Sequence, residues 1–218
     1  MTRKTFANKT YIIRIAGSLV LELATIQTLA ATLVELSVSK NNSMDNTKEI
    51  EQKDFESTFN NMRTFQLVHN ELRKDFEMIY ELAKSKIEEV EIVKPLIRGC
   101  IKELFSLMEA DIYLCNQFNP YLDYNDRDDF CKKFKKTFKH HAKTFNKQDT
   151  TLKFNSSHFK LLLIQKNKRD EVTHPKGKNS IRVDKSNLED IYDLFIKYNS
   201  FVNESMTNVF ISTKLDLF

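Results

Sequence analysis

Only three glycines and three prolines interrupt the 218 residues of this chain, far below average usage. So few turn-formers cannot join many short strands, so the backbone must run in a small number of long elements. Charged residues make up 29% of the sequence, and they alternate with Leu, Ile and Phe at intervals of three and four. Both features predict an all-α protein, and the length suffices for a core that needs no disulfide staples.

The apolar spacing divides the chain into elements. Phe55, Phe59, Met62, Phe65, Val68, Leu72, Phe76, Ile79, Leu82 and Ile87 step at helical intervals through about Val93. Pro95 is placed to open the next helix, which runs from Leu96 to Phe118 and is the most apolar of all. Gly99 there suits a close approach by a neighbour. Asn119-Pro120 and the acidic stretch from Asp123 to Asp129 read as a loop. A third helix from about Arg127 to Asn146 carries Phe130, Phe134, Phe138, Ala142 and Phe145 inward and a lysine-rich outer face. A fourth spans about Ser157 to Val172. Ser186 with Glu189 three residues on forms a capping-box pattern opening the last helix. The expected architecture is an up-and-down bundle of four to five helices, residues 44–218, with an extra N-terminal helix.

Residues 1–43 form that accessory piece. Tyr11 to Val38 contains only Arg14, Glu22 and Glu35 as charged residues and follows Arg3, Lys4 and Lys9. The charges cut it into pieces too short to span a bilayer, so a buried or interface helix is expected rather than membrane association. A polar joint, Ser39 to Ser43, follows. Cys100, Cys115 and Cys131 show no C-x-x-C spacing and read as small core hydrophobes, which suits a reducing cytoplasm. His140-His141 lacks a third ligand at suitable spacing, so no metal site is expected.

Charge is polarised. Residues 44–130 carry a net −8 and residues 131–218 a net +9 within an overall +4. This suits a polyanion on the C-terminal half; equally, it suits two halves that attract each other. Within the basic half, Arg169-Asp170-Glu171-Val172-Thr173-His174 stands out. On an ideal helix, side chains five positions apart diverge by about 140°. Pro175, however, pushes His174 out of the α region and would let it swing toward the face of Arg169. Lys166, Lys168, Lys176 and Lys178 surround the pair. A residue type that exchanges protons near neutral pH, a planar guanidinium and a lysine rim suit phosphodiester chemistry.

This segment resembles the R-x(4–6)-H signature of HEPN-domain proteins, in which a polar Asn, Asp or His follows the arginine. Asp170 holds that position here, the motif falls late in a helical chain, and one more helix follows. The resemblance implies a HEPN-like bundle acting as a homodimeric, metal-independent endoribonuclease of the toxin–antitoxin or abortive-infection (phage-defence) type, a cytoplasmic hydrolase needing no cofactor. His174 would move a proton as the RNA 2′-hydroxyl attacks the adjacent phosphate. Arg169 would stabilise the phosphorane, Asp170 would orient it, and the four lysines would bind RNA. An antitoxin protein is a possible partner. Lys176 stands where some toxin members carry a tyrosine that an antitoxin modifies, so that form of control is not implied.

A second spacing, Arg63 to His69, also fits R-x(5)-H, but Thr64 follows the arginine and the pair lies inside an amphipathic helix, so it reads as structural. Glu109, within the apolar second helix, reads as a partner for a basic motif residue or as the rim of that helix. Two other readings remain: a non-catalytic helical module binding RNA or a protein through its basic half, and a membrane-associated bundle anchored by residues 11–38.

Overall fold

The computed structural model describes the backbone of residues 46–179 and 181–207, and side chains from Glu56 onward. The N-terminal apolar stretch and its polar joint lie outside the described residues. The chain divides after Lys53, and the unit from Asp54 onward holds the bundle. The described residues form six helices: α1 (Asn46–Ser85), α2 (Val90–Phe118), α3 (Phe130–Thr144), α4 (Gln148–Ser157), α5 (Phe159–Thr173) and α6 (Lys185–Met206). The protein is all-α, as the scarcity of turn-formers requires. Among the described residues, no helix is long and apolar enough to cross a membrane.

Helix α2 is the axis of the bundle. Its buried residues, from Val93 through Phe118, form one broad apolar stripe against which α3, α5 and α6 pack, while Lys102, Ser106, Glu109, Tyr113 and Gln117 line its solvent face. A stripe of that width faces the core of a bundle. It begins at Val90 and not after Pro95: the Glu89 carbonyl accepts from the Ile92 and Val93 amides, both at 2.9 Å. Pro95 is exposed within it, so the ring meets solvent and the helix forgoes one hydrogen bond.

Helix α1 buries Met62, Phe65, His69, Phe76 and Ala83, with Leu72 and Ile79 partly covered. These positions alternate strictly by three and four, the seam of a heptad repeat. The expected stripe holds at Met62, Phe65, Leu72, Phe76 and Ile79 and departs by one residue at Val68 and Leu82, where the seam takes His69 and Ala83. His69 is inside, and Leu82 is 49% exposed. Stacked rings fasten α1 to α6, with Phe76–Phe195 centroids 4.3 Å apart and Tyr80–Tyr192 centroids 4.1 Å apart. Gly99 serves close approach as expected: a Cβ there would meet Ile79 Cδ1 at 2.5 Å.

The phenylalanines of α3 are core. Phe134 is at the centre of an aromatic cluster with Phe138, Phe154, Tyr198 and Phe201. Asp129 caps α3 by accepting from the Cys131 amide at 2.9 Å. After α3 the chain passes through Asn146 at φ 55°, a left-handed conformation asparagine tolerates. The short α4 was not anticipated from the sequence, because it buries little beyond Phe154. The cap of α6 also differs. Asp184, not Ser186, accepts from the Ser186 and Asn187 amides, and Asn187, not Glu189, returns a bond to the Asp184 amide.

Candidate functional site

Arg169 lies one turn after Gln165, which is buried on the inner face of α5. That phase turns the guanidinium onto α2. Its Nη2 donates to Glu109 Oε1 at 2.6 Å, and its carbon lies 5.3 Å from the Phe105 ring centre and 5.9 Å from that of Phe130. Planar cations stack on such ring surfaces. The side chain is 20% exposed. Its Nε is buried without a hydrogen-bond partner, 3.6 Å from Asp170 Oδ1. Glu109 is thus both partner and rim: it binds the motif arginine and remains 44% exposed.

Asp170 extends the array. Its Oδ2 lies 2.8 Å from Lys166 Nζ, which is also 3.3 Å from Asp129 Oδ2. The hydrogen bond that Lys166 donates to Asp170, with help from Asp129, holds its ammonium above its ordinary pKa. Burial pushes the Asp129 carboxyl up, but the Cys131 amide and Lys166 outweigh it and hold it below the usual range. Alternating charges therefore run from Glu109 on α2 through Arg169, Asp170 and Lys166 on α5 to the N-cap of α3. Lys168 pairs separately with Glu171 at 3.4 Å.

His174 caps α5. Its amide donates to the Asp170 carbonyl at 2.9 Å, but its φ of −124° and ψ of 65° have left the helix, as a residue before proline must. The side chain is exposed, as are Lys176 and Lys178 in the following loop. Buried Val172 and Val183 anchor the two ends of this turn, and Arg98 donates to the Ile181 carbonyl at 3.3 Å. The expected swing of His174 toward Arg169 makes no bond within one chain. Among the described residues, no hydrogen bond or ion pair joins the two, because Arg169 is committed to α2. Among the described residues Glu109 is the hydrogen-bond partner of Arg169; Nε–H is buried, so any oxyanion would be met by the remaining Nη–H donors.

The second histidine spacing resolves differently. Arg63 is exposed, whereas His69 is buried and bonded to α2 and α6. Its Nδ1 lies 2.9 Å from Asp111 Oδ2 and its Nε2 3.3 Å from Asn199 Oδ1. Tyr198 Oη donates to Asp111 Oδ2 at 2.7 Å. Asp111 and Tyr198 are fully buried, so this cluster locks three helices together and does not meet a substrate. Its signal was present in the sequence as an acid inside the most apolar helix and a histidine on the heptad seam. His141 is a second buried histidine, with Nε2 facing the Ser205 carbonyl at 3.2 Å.

No protein-family model matches the chain, no curated protein matches its sequence, and no solved structure matches its fold.

Proposed function

We propose that the protein is a metal-independent endoribonuclease of the HEPN type, of the toxin or phage-defence kind, in which Arg169 and His174 act in a composite site built by two copies. The observation that carries this reading is the division of labour along one helix end. Arg169 is clamped by Glu109 over two phenyl rings, with donors to spare, while His174 has left the helix and stands exposed beside Lys176 and Lys178. Because no hydrogen bond or ion pair joins the two among the described residues, the histidine of one copy would serve the arginine of the other across a two-fold axis near α5.

In the reaction, His174 takes the proton of the RNA 2′-hydroxyl as that oxygen attacks the adjacent phosphorus. Arg169 donates to the equatorial oxygens as charge builds there. The P–O5′ bond breaks as the imidazolium of the other copy's His174 gives its proton to the 5′-oxygen, which leaves as a hydroxyl, and the other product is a 2′,3′-cyclic phosphate. Asp170 shares its carboxylate between Lys166 and Arg169 and so fixes the arginine's approach. The unpaired thiols Cys100, Cys115 and Cys131 favour a reducing cytoplasm, and a toxin of this class would have an antitoxin protein as its partner.

A specific observation favours the other reading, a helical module that binds RNA or a protein without cleaving. Arg169, Lys166 and Lys168 already have carboxylate partners in Glu109, Asp129, Asp170 and Glu171, which weakens them as free phosphate ligands. Incubating the full chain with structured RNA in EDTA separates the two. Cleavage to cyclic-phosphate ends that is lost in both Arg169→Ala and His174→Ala supports the nuclease. RNA left intact by wild type and both variants alike sinks it.

A further inference from the structure

A groove of about 360 Å³ runs between α1 and α2, lined by Asp75, Met78, Ile79, Leu82, Leu96 and Glu103. It lies on the acidic half of the molecule and shares no residue with the Arg169–His174 element. Its existence follows from the heptad seam. Because Ile79 and Ala83 turn inward, Met78 and Leu82 one position earlier are left outside, at 68% and 49% exposure. Gly99 lets Ile79 settle against α2, which keeps the floor shallow and continuous. On α2, Ile92, 48% exposed, precedes Leu96 by one turn and extends the apolar strip.

The carboxylates on the rims set the groove apart. Along these two helices, Glu71, Glu77, Glu81 and Glu91 each pair with a cation three or four residues away, Lys74, Arg73, Lys84 and Lys94. Asp75 on one rim and Glu103 on the other have no ion-pair partner among the described residues. Lys102 pairs with neither and, about 100° from Glu103 around the helix, faces another direction. An apolar strip flanked on both sides by uncompensated negative charge is complementary to a helix with an apolar stripe between basic flanks.

We propose that this groove is the docking site for a basic amphipathic helix of a partner protein. The strip from Ile92 to Glu103 spans about 16 Å at 1.5 Å per residue, the length of three turns. The partner therefore presents apolar anchors at i, i+3 or i+4, and i+7 over Met78, Leu82 and Leu96, with Lys or Arg on each side for Asp75 and Glu103. The chain's own segment from Tyr11 to Val38 has the apolar content but only one cation against two acids, so it lacks the required charge. The lysine-rich α3 turns its phenylalanines inward and offers no apolar stripe either.

The test uses the full chain and an 18-residue synthetic peptide with leucines along one face and lysines on both flanks, followed by fluorescence anisotropy at physiological salt. Comparison peptides are a scramble of the same composition and a version with Glu in place of Lys. Protein variants are Asp75→Lys with Glu103→Lys, Met78→Ser, and the charge-matched control Glu88→Lys with Asp123→Lys, all checked for unchanged melting temperature. The faced, basic peptide is expected to bind wild type and the control at least tenfold more tightly than either groove variant, and tenfold more tightly than either comparison peptide. Equal weakening by the groove and control charge reversals means undirected attraction to an acidic surface and overturns the proposal. So does self-association of the protein without peptide that the groove substitutions abolish, since the occupant would then be a second copy.

Discussion

His69 Nδ1 and Asp111 Oδ2 meet at 2.9 Å across 42 residues of chain, in a place where Asp111 has no solvent exposure and His69 only 6%. The hydroxyl of Tyr198 shares the same carboxylate oxygen at 2.7 Å, and Asn199 accepts from the far side of the imidazole. Such a cluster stabilises only while complete. Asp111→Ala strands a buried imidazole and a buried phenol and is expected to cost about 3–5 kcal/mol. Tyr198→Phe removes a single donor and costs about 1–2 kcal/mol. Urea unfolding near pH 6 measures both, and an Asp111→Ala loss smaller than that of Tyr198→Phe would contradict the charged pair.

The two buried histidines oppose each other in pH. Burial pulls the His69 pKa down, but the charge and hydrogen bond of Asp111 and the Asn199 acceptor outweigh burial and the nearby Arg73 and raise it above 6.5. Its contribution is full below about 6.5 and is lost as pH rises through the raised folded value. At His141 burial dominates. With His140 and Lys147 assisting and only the Ser205 carbonyl opposing, the pKa drops to about 4. That group favours folding above about 6.5, and the advantage drains away as pH falls toward 4, by about 3 kcal/mol. Stability should therefore form a dome centred near pH 6.5. His69→Gln should flatten the alkaline limb and His141→Gln the acid limb. A limb that persists unchanged in its own variant removes that histidine from the account.

Much of this is legible in the residues, and each miss has its own cause. Few breakers and helical spacing point to the all-α class, the central place of α2 and the inward phenylalanines of α3. The stripe on α1 was assigned through Val68 because a histidine is not counted as apolar. The heptad seam instead passes through His69 and Ala83, and these two local departures hide the polar lock and leave Leu82 outside beside the groove. Helix α4 was missed because one buried ring, Phe154, makes no period. For Glu109 the sequence leaves partner and rim open, because only tertiary packing sets α5 against α2 so that Arg169 reaches it.

The clamp on Arg169 yields a graded expectation under the nuclease reading. Arg169→Lys keeps the charge but loses the planar fork and its seat over Phe105 and Phe130, so cleavage should fall by about 100-fold or more. Glu109→Gln loosens the seat without removing the fork, and a loss of about tenfold, carried by kcat with KM little changed, is expected. Single-turnover cleavage of a labelled RNA reports both. Wild-type rates in Arg169→Lys would show that any cation suffices there and would remove the guanidinium from the mechanism.

The start of α6 offers a choice between two sequence patterns that differ by two residues. Ser186 and Glu189 have capping-box spacing, yet it is Asp184 whose side chain meets the Ser186 and Asn187 amides, at 2.9 and 3.3 Å, and accepts the Ser186 hydroxyl at 2.7 Å. The Ser186 hydroxyl, with the two amides assisting, holds the Asp184 carboxyl below the usual range against slight burial, so the cap should survive mild acid. Asp184→Ala is then expected to cost about 1 kcal/mol, a fall of about 2–4 °C in melting temperature for a chain of this size. Ser186→Ala removes only a hydroxyl that supports the cap and should cost less than about 0.5 kcal/mol, with Glu189→Ala smaller still. Melts of the three single variants at pH 7 decide between the patterns. If Ser186→Ala and Glu189→Ala each lose more than Asp184→Ala, the helix starts two residues later, and the loop carrying Lys176 and Lys178 gains those two residues of free length.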